Sequence, residues 1–161
     1  MKATGIVVRG RGKGTDRIAA IATDLALVLG GSPAPGTLNV TLSTPLEFDP
    51  TKAVLNIDGK RLFWPIKLNG LFCLAYRWRS CPLHIVEVVS TRHLRSELGL
   101  VNGSKIEIEA PHGRRAPLMF FLAWAAFWAF RQQYYYSSDA YIAWTKRYPK
   151  IRTWAGQRVS A

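Results

Sequence analysis

The sequence predicts a mainly β domain, a barrel or a sandwich, over residues 1–110, followed by a helical extension over 111–161. Three observations carry this. Short β-branched runs alternate with Gly, Pro and Asn turns through the first part. Asp58-Gly59, Asn69-Gly70 and Asn102-Gly103 are dipeptides that tolerate the positive φ of tight hairpins. At Pro111-His112-Gly113-Arg114-Arg115 the composition then shifts to a basic, aromatic-rich segment.

In chain order, strands are expected at Gly5–Val8, Thr37–Leu42, Arg61–Leu68, Leu71–Tyr76, Leu83–Val89 and Lys105–Glu109, where β-branched and aromatic residues cluster. Two helices interrupt them. One runs from Thr15 or Asp16 to Leu29, with apolar residues at helical spacing and a stop at Gly30-Gly31. A second spans Arg92–Leu98, after caps at Ser90 or Thr91 and before Gly99. No repeat of fixed period is evident. In the extension Pro117 suits a helix start, and no charge follows until Arg131. The 14 uncharged residues from Pro117 to Phe130 would rise only about 21 Å, short of a bilayer core of roughly 30 Å. A helix covering the barrel, a second subunit or an anionic membrane surface is therefore expected. Lys146–Arg158 is basic and is expected to be partly irregular.

Composition narrows the class. The chain has 161 residues, 48% apolar and 20% charged, which fits one folded domain with an appendage and argues against wholesale disorder. The net charge of +12 is uneven: residues 1–110 hold 14 Lys/Arg against 9 Asp/Glu, and the remainder 8 against 1. Such a surface favours anionic partners, whether nucleotide phosphates, nucleic acid or lipid. Cys73 and Cys81, the only cysteines, have neither metal-site nor disulfide-framework spacing. With no apolar leader core at the N-terminus, a cytoplasmic location is expected, with the membrane surface open as a peripheral site.

Four segments carry possible chemistry. Gly10-Arg11-Gly12-Lys13-Gly14-Thr15 lies between a strand and a helix, where backbone N–H groups can turn toward a phosphate unhindered by Cβ atoms; it also reads as a flexible basic loop. In Pro35-Gly36-Thr37-Leu38-Asn39-Val40, strand alternation puts Thr37 and Asn39 on one face. Their neutral oxygens suit part of a Mg²⁺ shell, or simply a solvated strand face. Glu87 sits within an apolar run and needs donors, from a ligand, from backbone, or from an ion pair with Arg77 or Arg95. Arg92-His93-Leu94-Arg95 opens a short helix with two guanidinium groups, either an anion site or an ordinary charged face.

The succession GxGxG, PGTLNV, an apolar-Glu-apolar strand and HLRxxLxLxxG resembles the archaeal CTP-dependent riboflavin kinase family over residues 5–109. PGTLNV is the most specific of these. The resemblance implies a six-stranded cradle-loop β-barrel with short helices, transferring the γ-phosphate of CTP to the 5′-hydroxyl of riboflavin to give FMN and CDP. By position, it implies that Gly10 to Thr15 (Gly10, Arg11, Gly12, Lys13, Gly14, Thr15) and Arg92, His93, Leu94 and Arg95 hold the nucleotide. Thr37 and Asn39 would hold Mg²⁺, and Glu87 the flavin.

The chain also departs from the family. Lys13 stands in the glycine-rich segment where the family has an acidic residue. Trp78-Arg79-Ser80-Cys81 replaces the family's Lys-Thr-Xaa-His segment and places Arg79 where a flavin-contacting threonine is expected. Gly103-Ser104 replaces Gly-Asp. Two other readings follow from the residues. One is a barrel that binds a nucleotide or another anion without catalysis. The other is a nucleic-acid module using the basic tail with Tyr134-Tyr135-Tyr136, Trp144 and Trp154, although it matches no known nucleic-acid-binding signature.

Overall fold

Six strands close on one another. The computed structural model describes residues 1–10, 14–78, 81–118 and 122. Its elements are β1 (Lys2–Val8), α1 (Gly14–Ala19), α2 (Ala22–Leu29), β2 (Leu38–Leu42), β3 (Leu46–Phe48), β4 (Leu55–Ile57), β5 (Arg61–Leu68), β6 (Leu71–Trp78), β7 (Ile85–Val89), α3 (Leu94–Glu97), β8 (Lys105–Glu109) and β9 (Gly113–Arg115). The antiparallel order β5-β6-β7-β2-β1-β8 is closed by pairing Lys67 with Glu109 and Leu68 with Ile108. Closure leaves none of these six strands an edge to aggregate through. Both β4 and β8 use the same edge of β5, β4 at residues 61–63 and β8 at residues 67–68.

The barrel interior follows from alternation. Val40 and Leu42, Leu62, Trp64, Ile66 and Leu68, Cys73 and Ala75, Val86 and Val88, and Ile106 and Ile108 form one buried cluster. Trp64 stacks on Phe48 at 4.9 Å and donates its indole N–H to the Asp49 carbonyl at 2.7 Å, so its polar atom is satisfied where its ring is buried. Arg77 shares the inward parity of Cys73 and Ala75 and is fully buried. Its guanidinium donates to the carbonyls of Leu46, Leu83 and Ile85 and lies 4.8 Å from the Phe48 ring centroid. A second apolar cluster lies outside the wall, where Ile18, Ile21 and Leu25 cover Phe63, Leu74, Tyr76 and Val89.

The single helix expected up to Leu29 is two helices. Ile21 donates to Ile18 O, three residues back, and accepts from Leu25 N, so a tight turn separates α1 from α2 while Ile18, Ile21 and Leu25 all stay buried. The helix expected over Arg92–Leu98 is a single turn, Leu94–Glu97. The strand expected from Thr37 begins at Leu38, and that expected from Leu83 begins at Ile85.

Three short strands, β3, β4 and β9, join the six expected. β9 pairs with β3, Glu47 and Arg114 form an ion pair at 3.0 Å, and Ala116 N donates to Pro45 O. The chain thus stays on the barrel past Ala110. The helix expected over 117–130 falls almost wholly outside the described residues. Among the described residues, no helix is long and apolar enough to cross a membrane.

Candidate functional site

A row of side chains crosses the outer wall. Asn39 on β2 pairs with Glu87 on β7, Glu87 with Tyr76 on β6, Tyr76 with Phe63 on β5, and Phe63 with Leu55 on β4. The row grades from polar to apolar. Its apolar end lies beneath α1 and α2, with Tyr76 and Phe63 stacked at 4.8 Å. Burial pushes the Tyr76 phenol up to about 12, with the Glu87 charge adding and Arg17 and Arg61 opposing. That hydroxyl stays protonated at neutral pH.

Its polar end is built by the turn before β2. Gly36, at φ +84°, turns the chain into the strand, and Ala34 N donates to Ser90 O at 2.8 Å, tying this turn to the end of β7. The Thr37 hydroxyl then donates to Glu87 Oε2 at 2.7 Å. Glu87 is buried and Thr37 half-buried, so the contact is partly shielded from solvent and is worth more than at an open surface.

Both described ends of the glycine-rich segment press on these two side chains. A Cβ on Gly10 would lie 2.2 Å from Asn39 Nδ2, and one on Gly14 would lie 2.9 Å from Thr37 Oγ1 and 3.2 Å from Thr37 N. A Cβ on Gly36 would be 3.5 Å from Thr15 Oγ1, so Thr15 borders the same turn. Arg11, Gly12 and Lys13 between these ends lie outside the described residues, as does Arg79.

Thr37 also lines a small open pocket, with Ala34, Pro35, Gly36 and Leu38 together with Val88, Ser90, Arg92, His93, Leu94 and Arg95. Leu94 is nearly buried and anchors this segment to the barrel core. Arg92 pairs with Glu97, and its backbone N–H meets Ser90 Oγ at 3.2 Å. His93 Nδ1 lies 2.9 Å from Ser96 Oγ. Arg95 donates to Val8 O and to Asn102 Oδ1, each at 3.0 Å, linking α3 to the end of β1 two residues before Gly10.

The structure therefore brings Gly10, Gly14, Thr15, Thr37, Asn39, Glu87 and Arg92 to Arg95 into one neighbourhood centred on Thr37. Of the two arginines offered as ion-pair partners for Glu87, Arg77 reaches backbone carbonyls from the inward side of β6, and Arg95 reaches Val8 and Asn102. Sequence reasoning missed Tyr76, Phe63 and Ser90. Their membership depends on strand register, which no local pattern encodes.

A hydroxyl, an amide carbonyl and a carboxylate form an all-oxygen donor set, the kind a hard cation such as Mg²⁺ takes. Among the described residues, no group of three or more His, Cys, Asp or Glu is placed to hold a metal ion by itself. No known protein-family model matches the chain, and no curated protein is significantly similar to it.

Proposed function

We propose that the barrel is a Mg²⁺-dependent phosphotransferase of the CTP-dependent riboflavin kinase type, converting riboflavin and CTP to FMN and CDP. The convergence on Thr37 supports this reading: the turn that carries it adjoins both the described ends of the glycine-rich segment and the pocket lined by Arg92–Arg95. Thr37 and Asn39 would hold Mg²⁺, with Glu87 beside them. When bound, the metal would supply neutralisation of phosphate charge. Arg92, His93, Leu94 and Arg95, with Gly10 to Thr15, would hold the nucleotide, and Glu87 and Arg79 would border the acceptor. Phosphoryl transfer asks chiefly for positioning and charge stabilisation, which a closed barrel with buried anchors can provide.

The second reading is a barrel that binds an anion or nucleotide without transfer. It is favoured by Arg79, which stands where the family has a flavin-contacting threonine. Incubating the full-length protein with riboflavin, Mg²⁺ and either CTP or ATP, and following FMN by chromatography, separates the two. FMN formed with CTP and abolished by chelation of Mg²⁺ is the expected result. Nucleotide binding with no FMN from either donor would leave the second reading.

A further inference from the structure

We infer that Glu87 is a positioning residue for the Thr37 hydroxyl, orienting it toward a divalent cation, over and above any contact with an acceptor. This rests on the proposed reading that Thr37 and Asn39 are metal ligands. The Thr37 hydroxyl donates to Glu87 Oε2 at 2.7 Å, so its proton lies on the Glu87 side. The lone pairs of Thr37 Oγ1 are then directed away from Glu87, available to a cation. Without this partner the hydroxyl would rotate freely, and turning its lone pairs toward a cation would cost that rotational freedom.

Sheet register makes the arrangement rigid. Asn39 lies directly across from Glu87, and Leu38 across from Val88. One step further along, Thr37 is the diagonal neighbour of Glu87 on the same face. A single carboxylate thus adjoins both side chains assigned to the metal. Gly14 packs on Thr37 and Gly10 on Asn39, which limits how far either side chain can swing. Donating its proton to Glu87 also raises the basicity of Oγ1, as outer partners of metal ligands commonly do.

Mn²⁺ serves as the probe, titrated into full-length protein with CTP and without riboflavin and read by the electron paramagnetic resonance of free Mn²⁺. Glu87→Gln keeps the shape but loses the charge, and is expected to weaken Mn²⁺ binding about 10- to 100-fold, the usual effect of removing an outer partner. Thr37→Val is expected to weaken it at least as much, and the double variant no further, because Glu87 acts through Thr37. Glu87→Asp retains charge but retracts the carboxylate; it should also weaken Mn²⁺ binding, and it serves if Glu87→Gln does not fold, as judged by circular dichroism.

Folded Glu87→Gln or Glu87→Asp with wild-type Mn²⁺ affinity would overturn the inference, as would losses in the double variant that simply add. Wild-type protein that binds no Mn²⁺ with CTP would overturn it too. If Mn²⁺ binding falls as expected but no FMN is ever made, the phosphotransferase reading fails and this one stands. If FMN is made and Glu87→Gln changes only the riboflavin KM, the reverse holds.

Discussion

Gly10 and Gly14 do their work by being small. The sequence marks them as backbone that can approach a phosphate, and the fold adds a reason no local pattern could supply: Gly10 lies against the Asn39 side chain of β2, and Gly14 against Thr37 in the turn just before it. Gly10→Ala puts a methyl 2.2 Å from the Asn39 amide, which must move aside. Since that amide is the end of a side chain, the stability loss should be modest, about 1 kcal/mol, within the usual range for a point change. Mg²⁺-dependent CTP affinity should fall about tenfold or more, because a displaced Asn39 would no longer face the proposed cation. Gly70→Ala, in the hairpin turn far along the chain, should leave that affinity intact; equal losses from the two variants in a calorimetric titration would contradict the assignment.

His84 makes a second prediction at this scale. Burial foremost, with Arg77 nearby, pushes its imidazole down to about 3. The unfolded chain, near the usual value of about 6.5, therefore binds a proton that the folded chain refuses. Stability should be full above roughly pH 7 and fall by about 2 kcal/mol on going to pH 5. Urea denaturation of wild type and His84→Gln at both pH values checks this; the variant should show a clearly smaller difference.

At the scale of elements, the hairpin between β5 and β6 was legible because its determinants are local. Asn69 at φ 46° and Gly70 at φ 85° form the two-residue turn that their identities predict, with Leu68 facing Leu71 across it. Asn102-Gly103 joins α3 to β8 instead of forming a hairpin, and only its glycine has positive φ. β3 and β9 were not legible. Each is three residues long and exists because its partner arrives from far along the chain, 46–48 with 113–115. β4 pairs with β5 across Asp58-Gly59, both at positive φ, so that turn was legible although the short strand before it was not. The break between α1 and α2 was hidden for a related reason, since the apolar spacing continues through it and only burial against β5 and β6 requires the tighter turn.

Arg77 is the element-scale tie, spanning from β6 to the Leu46 carbonyl of β3 and to those of Leu83 and Ile85. Arg77→Met would fill much of the same volume but strip the donors from buried carbonyls, at about 1–3 kcal/mol for each acceptor left unsatisfied. A loss of about 3 kcal/mol or more is expected by urea denaturation. Arg77→Lys should recover only part of it, because one ammonium lacks the planar fork that reaches divergent carbonyls.

For the whole molecule, closure of the sheet agrees with the β-barrel expected from sequence. Where the barrel ends is a finding of the structure. A chain stopped after Leu118 keeps β9 on β3 and the Glu47–Arg114 pair, and one stopped after Pro111 loses both. The longer truncation product is the reference for the shorter one, since only β9 and its contacts separate them. The shorter one should melt several degrees lower, by the usual conversion of about 1 kcal/mol to roughly 4–8 °C. Equal melting of the two, by circular dichroism, would deny β9 a stabilising role. The central claim is that Thr37 is the meeting point of a metal-dependent nucleotide site, and calorimetric titration of CTP into wild-type and Thr37→Val protein, with and without Mg²⁺, tests it most directly. The account predicts that wild type binds CTP more tightly with Mg²⁺ than without and that Thr37→Val abolishes the difference; the same Mg²⁺-dependent affinity in both proteins would contradict it.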